Sequence, residues 1–108
     1  MTPELSVSML DRQIAAHGQP IALRRGKSGS QQHNARGFVR GYRPEELVGL
    51  VQQADRGVVL SPSGLAGFGL PQAGDEFSSQ GRRGTVEDVE PIHIGETLVR
   101  VNMRVRLA

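Results

Sequence analysis

A small, mainly β protein of about six short antiparallel strands, arranged as a sandwich or a small barrel, is the fold that this sequence predicts. Three observations predict it. From Thr97 to Leu107 the chain alternates without a break: Thr97, Val99, Val101, Met103, Val105 and Leu107 on one face, Leu98, Arg100, Asn102, Arg104 and Arg106 on the other. Side chains of a strand point to opposite faces at period two, so this is a long, half-buried strand. Fourteen Gly and six Pro in 108 residues favour many turns between short strands over a helix bundle. The core must also be lean. With no Trp, one Tyr (Tyr42) and three Phe (Phe38, Phe68, Phe77), it rests on Val, Leu and Ile. A lean core suggests that neighbouring subunits supply part of the stability.

The elements follow in order. Residues 3–17 read as a short amphipathic helix. Pro3 suits a first turn, Ser6 or Ser8 would cap a shorter version, and the spacings Leu5–Met9 and Leu10–Ile14 give an apolar stripe. Gly18 after His17 is the expected left-handed stop. Pro20 to Arg25 is a short strand with Pro at its start. Gly26 to Ala35 holds no strong apolar residue and has the composition of a long flexible loop. Arg36 to Tyr42 resumes an extended pattern. Arg43 to Gln53 reads either as a helix begun by Pro44-Glu45-Glu46 or, preferred because Gly49 weakens a helix, as a turn leading into a strand. Ala54 to Gly57 is then a turn before the strand Val58-Val59-Leu60.

Ser61-Pro62-Ser63-Gly64 is a turn cluster, and Gly67 to Asp75 is a loop ending in a Gly-Asp turn before Glu76-Phe77-Ser78. Gly81 to Gly84 reads as another turn. Thr85–Val89 and Ile92–Ile94 form a strand interrupted near Pro91. Gly95-Glu96 joins it to the closing strand as an antiparallel hairpin. The length fits one domain spanning 1–108.

Charge is unevenly spread although the net value is only +2. Between Asp11 and Glu45 there is no acid, while Arg12, Arg24, Arg25, Lys27, Arg36, Arg40 and Arg43 all fall there. The stretch from Glu87 to Glu96 is acidic through Glu87, Asp88, Glu90 and Glu96. Such blocks face different partners, complement each other across subunits, or form a solvated mixed surface. A Gly/Ser/Gln segment carrying Lys and Arg suits phosphate contacts along a nucleic-acid path. The Gly26–Ala35 loop has no aromatic side chain on which bases would stack, which argues against sequence-specific single-strand binding.

Little else suggests chemistry. Having no cysteine, the chain cannot build disulfides, thiolate zinc sites or a cysteine nucleophile. His17, His33 and His93 stand at no metal-ligand spacing. Gly26-Lys27-Ser28 ends like a phosphate loop, but Ile21 occupies the position of the required upstream glycine. Asx turns account for Asp55 and Asp75. No apolar run approaches the ~18 residues of a transmembrane helix, and Met1 to Leu5 lacks signal-peptide features. The expectation is a soluble, cytoplasmically made protein without catalytic activity, metal or cofactor.

Several runs together resemble a known family. They are Gln52 to Leu60, then Leu70 to Glu76, then Gly84 to Ile92, and finally Gly95 to Arg106. They follow the order of a D-R-x-V-x-L strand, a P-x-x-G-D turn, a V-x-x-V-x-P strand and a final alternating strand rich in Arg. Leu10-Asp11 and Gly18-Gln19-Pro20-Ile21 also look similar. In order and spacing the chain resembles the head-closure proteins, also called stoppers or head–tail connector proteins, of long-tailed bacteriophages and related gene transfer agents. Ser78 to Gly81 departs from the family, where a more apolar strand is usual.

The resemblance implies a small antiparallel β-barrel with a peripheral helix and a long loop. It implies a homo-oligomeric ring, commonly of twelve copies, in the neck of a virion assembled in the host cytoplasm. Its partners would be the portal and adaptor proteins on one side and a tail or tail-terminator protein on the other, with no membrane. Long loops would project into the channel and help hold packaged double-stranded DNA without sequence specificity. The matching segments are Gly26–Ala35 and Gly41–Gln53. Arg24, Arg25, Lys27, His33, Arg36, Arg40 and Arg43 are then candidates to face DNA. Candidates for contacts between subunits or partners are Glu87, Asp88, Glu90, Glu96, Arg100, Arg104 and Arg106. The alternatives are another neck component, such as an adaptor (which tends to be mostly helical) or a tail-completion protein, and a small basic nucleic-acid-binding barrel.

Overall fold

In the computed structural model, which describes residues 2–25, 32–41 and 55–107, six antiparallel strands close on themselves. They are β1 (Gln19–Arg24), β2 (His33–Gly41), β3 (Asp55–Leu60), β4 (Glu76–Ser79), β5 (Arg82–Ile94) and β6 (Thr97–Leu107). Around the barrel the order is β1-β2-β3-β6-β5-β4, and β4 returns to β1. Closure leaves no free sheet edge where the ladders are complete. A helix, α1 (Pro3–His17), precedes the barrel, and a 3-10 turn, η1 (Pro62–Leu65), follows β3. No helix among the described residues is long and apolar enough to cross a membrane.

α1 begins and ends where the sequence places it, but its caps differ. Thr2, not Ser6 or Ser8, caps the start: its Oγ1 accepts the Leu5 N–H at 3.1 Å, and Pro3 occupies the first turn. Gly18 is extended (φ −78°, ψ 177°) and not left-handed, and its N–H donates to the Ile14 carbonyl. Glycine is required there by space. A Cβ would lie 2.6 Å from the Ile14 carbonyl oxygen and 3.0 Å from that of Gly37. The chain thus turns directly from α1 into β1, and α1 packs against β6, β2 and η1.

The core lies inside the barrel. β1 contributes Ile21 and Leu23, β3 Val58 and Leu60, β4 Phe77, β5 Val86, and β6 Val101, Met103 and Val105. The inward row of β6 is the apolar row of the alternation, as expected. Ala35 and Val39 of β2 pack against this cluster from the remaining strand. Burial of a side chain such as Phe77 stabilises by roughly 2–3 kcal/mol.

Several strand boundaries depart from the sequence reading, beginning with β1, which runs one residue earlier at each end than Pro20 to Arg25. Of the expected Gly26–Ala35 loop, 26–31 lie outside the described residues, and His33, Asn34 and Ala35 belong to β2, paired with Leu23, Ala22 and Ile21. Their polarity concealed a strand whose even-numbered residues face outward. The reading of Arg43 to Gln53 also lies outside the described residues, as does the Gly41–Gln53 loop beyond Gly41.

Asp55, Arg56 and Gly57 do not turn; they are the first residues of β3, paired with Arg106, Val105 and Arg104. Ser78 and Ser79, in the run that departs from the family's more apolar strand, sit in β4: Ser78 pairs with both Ala22 and Arg83, Ser79 with Arg82. Only Gln80 and Gly81 form the turn expected over Gly81–Gly84. β5 runs unbroken through Pro91, with register shifts between Val86 and Asp88 and between Ile92 and His93. Proline is tolerated there because β4 ends its pairing at Thr85, leaving this part of β5 with one neighbour.

Candidate functional site

The basic candidates divide into two groups. Arg25 and His33 are turned inward to fasten the loop after η1. Arg25 Nη1 donates to Asp75 Oδ2 at 2.7 Å and to the Leu70 carbonyl at 3.2 Å, while Nη2 donates to the Phe68 carbonyl at 2.6 Å. Its guanidinium lies 4.2 Å from the centre of the Phe68 ring. His33 Nε2 lies 2.7 Å from the Gly64 carbonyl. A carbonyl only accepts, so Nε2 carries the proton. The imidazole stacks on Phe68 at 5.3 Å. Asp75 is buried, and its Oδ2 also accepts the Gln72 N–H at 2.9 Å, so it combines the expected turn bond with an ion pair.

The other group faces outward. Arg24 is half-buried and donates to Gln32 Oε1 at 3.4 Å. Arg36 is exposed and donates to the Gly18 carbonyl at 2.6 Å, beside the end of α1. Arg40 is exposed and donates to the Gly41 carbonyl at 3.2 Å. Lys27 and Arg43 lie outside the described residues.

The acidic and C-terminal candidates divide as well. Arg104 Nη1 donates to Asp55 Oδ2 at 2.9 Å. Arg106 Nε donates to Asp55 Oδ1 at 2.8 Å, and its Nη1 lies 3.0 Å from Glu87 Oε1. The Asp55 side chain is 0% exposed, against 15% for Arg104 and 33% for Arg106. Hydrogen bonding to Asp55 holds the Arg106 pKa above the ordinary arginine value, with partial desolvation opposing and the charges of Asp55 and Glu87 assisting.

Arg104, Arg106 and Glu87 are therefore engaged within the chain, around an aspartate that sequence reasoning assigned to a turn. The acid-free arginine row of β6 is compatible with a countercharge on a neighbouring strand but does not single out Asp55. Asp88 Oδ1 accepts the Val89 N–H at 3.0 Å. Glu90 and Glu96 are exposed, and among the described residues neither they nor Asp88 make an ion pair. Arg100 is exposed and donates from Nε to Asn102 Oδ1 at 2.9 Å.

What remains on the outside is two rows. On β2, Ala35 and Val39 pack on the core, so Asn34, Arg36, Phe38 and Arg40 point outward. On β5, Asp88, Glu90 and Ile92 pair with Arg104, Asn102 and Arg100, the outward row of β6, and so share its face. In the six-stranded order β2 and β5 stand three places apart, on opposite sides of the barrel. Beside the β5 row, the β5–β6 hairpin and α1 enclose a groove of about 350 Å³ with Met9, Leu10, Ile92, Ile94 and Val99 in its walls. Met9 is 40% exposed and Leu5, one turn earlier, is 50% exposed.

Among the described residues no group of three or more His, Asp or Glu side chains could hold a metal ion. No protein-family model, curated protein or solved structure matches this chain.

Proposed function

We propose that this chain is a structural protein of a phage neck, forming a ring that joins the portal–adaptor complex to the tail and helps retain packaged DNA. One observation carries the reading. Of the four runs that resemble the head-closure family, three carry β3 (from Asp55 on), β5 and β6, side by side in a closed barrel preceded by one helix, and the fourth, Leu70 to Glu76, leads into β4. That is the architecture the resemblance implies. The contact with DNA falls to Lys27, Arg43, Arg24, Arg36 and Arg40, since Arg25 and His33 fasten the chain to itself. The test is to image particles lacking this protein. Heads that lose their DNA and fail to join tails are expected. Filled heads that keep DNA and join tails normally would sink the reading.

A second reading, a small nucleic-acid-binding barrel, is favoured by the outward row Arg36–Phe38–Arg40, which sets an aromatic ring between two cations. Such a barrel binds duplex or single strands as an isolated monomer, with steep salt dependence. A flat titration at low salt excludes it.

A further inference from the structure

We infer that the groove between α1 and the β5–β6 hairpin binds an apolar carboxylate, a small molecule with an unbranched alkyl chain and one anionic head. Octanoate is the simplest probe of that class. Such a site is independent of the neck reading and goes beyond it.

The two halves of the ligand are matched by two parts of the groove. Met9 and Leu10 of α1, with Ile92, Ile94 and Val99 of the hairpin, line about 350 Å³, a volume within the range of small-molecule sites. Met9 is 40% exposed, so this wall stands open to water, and an alkyl chain laid on it releases that water. The polar lining is Ser6, Gln13 and Arg100, and among the described residues Arg100 is the one charge there.

Arg100 stands opposite Ile92 in the hairpin. Its Nε donates to Asn102 Oδ1 at 2.9 Å, the one bond of its side chain among the described residues, so both amino groups of the guanidinium are open to a ligand. A planar guanidinium with two such groups holds a carboxylate bidentately. No acid lines the groove to compete. Glu90, opposite Asn102 on the same face, makes no ion pair among the described residues.

An alkyl chain suits these walls better than a peptide. An extended peptide brings an N–H and a C=O with every residue, and the five apolar side chains offer them no partner. Along α1 the lining runs from Ser6 to Gln13, about 10 Å of helix, which is the reach of a chain of medium length.

NMR of the isotope-labelled chain, titrated with sodium octanoate at low millimolar concentration, tests the site. The methyl signals of Met9, Ile92, Ile94 and Val99 are expected to shift saturably, together with the side-chain signal of Arg100. Those of Val58 and Val86, inside the barrel, stay in place. Octylamine has the same chain and the opposite charge, and acetate has the head without the chain. Each is expected to bind about tenfold more weakly or worse. Arg100→Gln, at an exposed position, keeps the folded spectrum and weakens octanoate about tenfold, the effect of losing a bond to a charged group. Met9→Glu, also exposed, abolishes binding, and Glu90→Gln, outside the lining, does not weaken it. Shifts scattered over the surface, octylamine binding as tightly as octanoate, or an Arg100→Gln chain that binds like the wild type would each overturn the site. A leucine tripeptide with a free carboxylate that binds more tightly than octanoate would make the groove a peptide-docking surface and overturn it too. So would a wild type that is dimeric until Met9→Glu separates it, because a second copy would then fill the groove.

Discussion

Asp55 is fully buried and accepts from two arginines of β6. Removing one member of a buried pair leaves the others without a countercharge, which costs about 3–5 kcal/mol. Here the arginines keep some access to water, which places Asp55→Asn near the lower end, at a loss of about 3 kcal/mol. Glu87→Gln removes only the partly exposed outer pair and should cost less than about 1 kcal/mol. Urea midpoints of the two variants check this order, and equal losses would show that the network is held from Glu87. The raised pKa of Arg106 has a definite sign. A base favoured in the folded state contributes fully below its unfolded pKa and loses that contribution only as pH climbs through the folded one. That window lies above the ordinary arginine value, so Arg106 does not make the network a switch at neutral pH. Asp55 was not legible as an ion-pair centre because Asp-Arg-Gly has the local chemistry of a turn. The partners that decide otherwise lie 49 and 51 residues away.

At the scale of elements, the two hairpin turns show what local sequence reveals and what it hides. Gly95-Glu96 joins Ile94 to its partner Thr97, with φ +61° at the glycine and no positive φ at Glu96. That places Gly first, as a II′ turn requires, and the sequence makes it visible. Gln80-Gly81 joins Ser79 to its partner Arg82 with φ of 51° and 81°, the signature of a I′ turn. There the first residue is a glutamine in a left-handed conformation, which Asn tolerates far better. Gln80→Asn should therefore stabilise the protein by about 0.5 kcal/mol, even after losing the exposed bond to Gln19. A thermal melt measures it, and a fall in stability would mean that the glutamine bond outweighs the backbone strain. The strand ends are harder to read for a related reason. The start of β2 is polar outward and offers only His33, Ala35 and Gly37 inward, so neither period nor composition distinguishes it from a loop. α1, by contrast, was readable over its full length because Pro3 and the spacing of Leu10 and Ile14 act within one element.

For the whole molecule, closure is carried by its shortest strand. β4 has four residues and pairs with β1 through Ala22–Ser78, Leu23–Phe77 and Arg24–Glu76, with Ser79 bonded to Gln19 and Pro20 beside them, whereas β6 pairs with β5 along nearly its full length. Period two and turn spacing indicate how many strands there are. They do not indicate that the first and fourth meet, because that pairing spans more than fifty residues. At the seam Phe77, with 0% exposure, stands opposite Leu23, also buried, inside the core. Its truncation to Ala would cost about 3–5 kcal/mol, comparable to the whole stability of a small domain. The milder Phe77→Leu is the better probe. A barrel with a weak seam opens there before it unfolds, so amides of β4 and of Ala22–Arg24 should exchange roughly tenfold or more faster than those of Val101–Val105. Phe77→Leu should widen that gap by speeding exchange at β4 and β1 while leaving β3 and β6 almost unchanged. Uniform acceleration across all six strands would instead make the barrel one cooperative unit, with Phe77 as a general core residue and no seam at all.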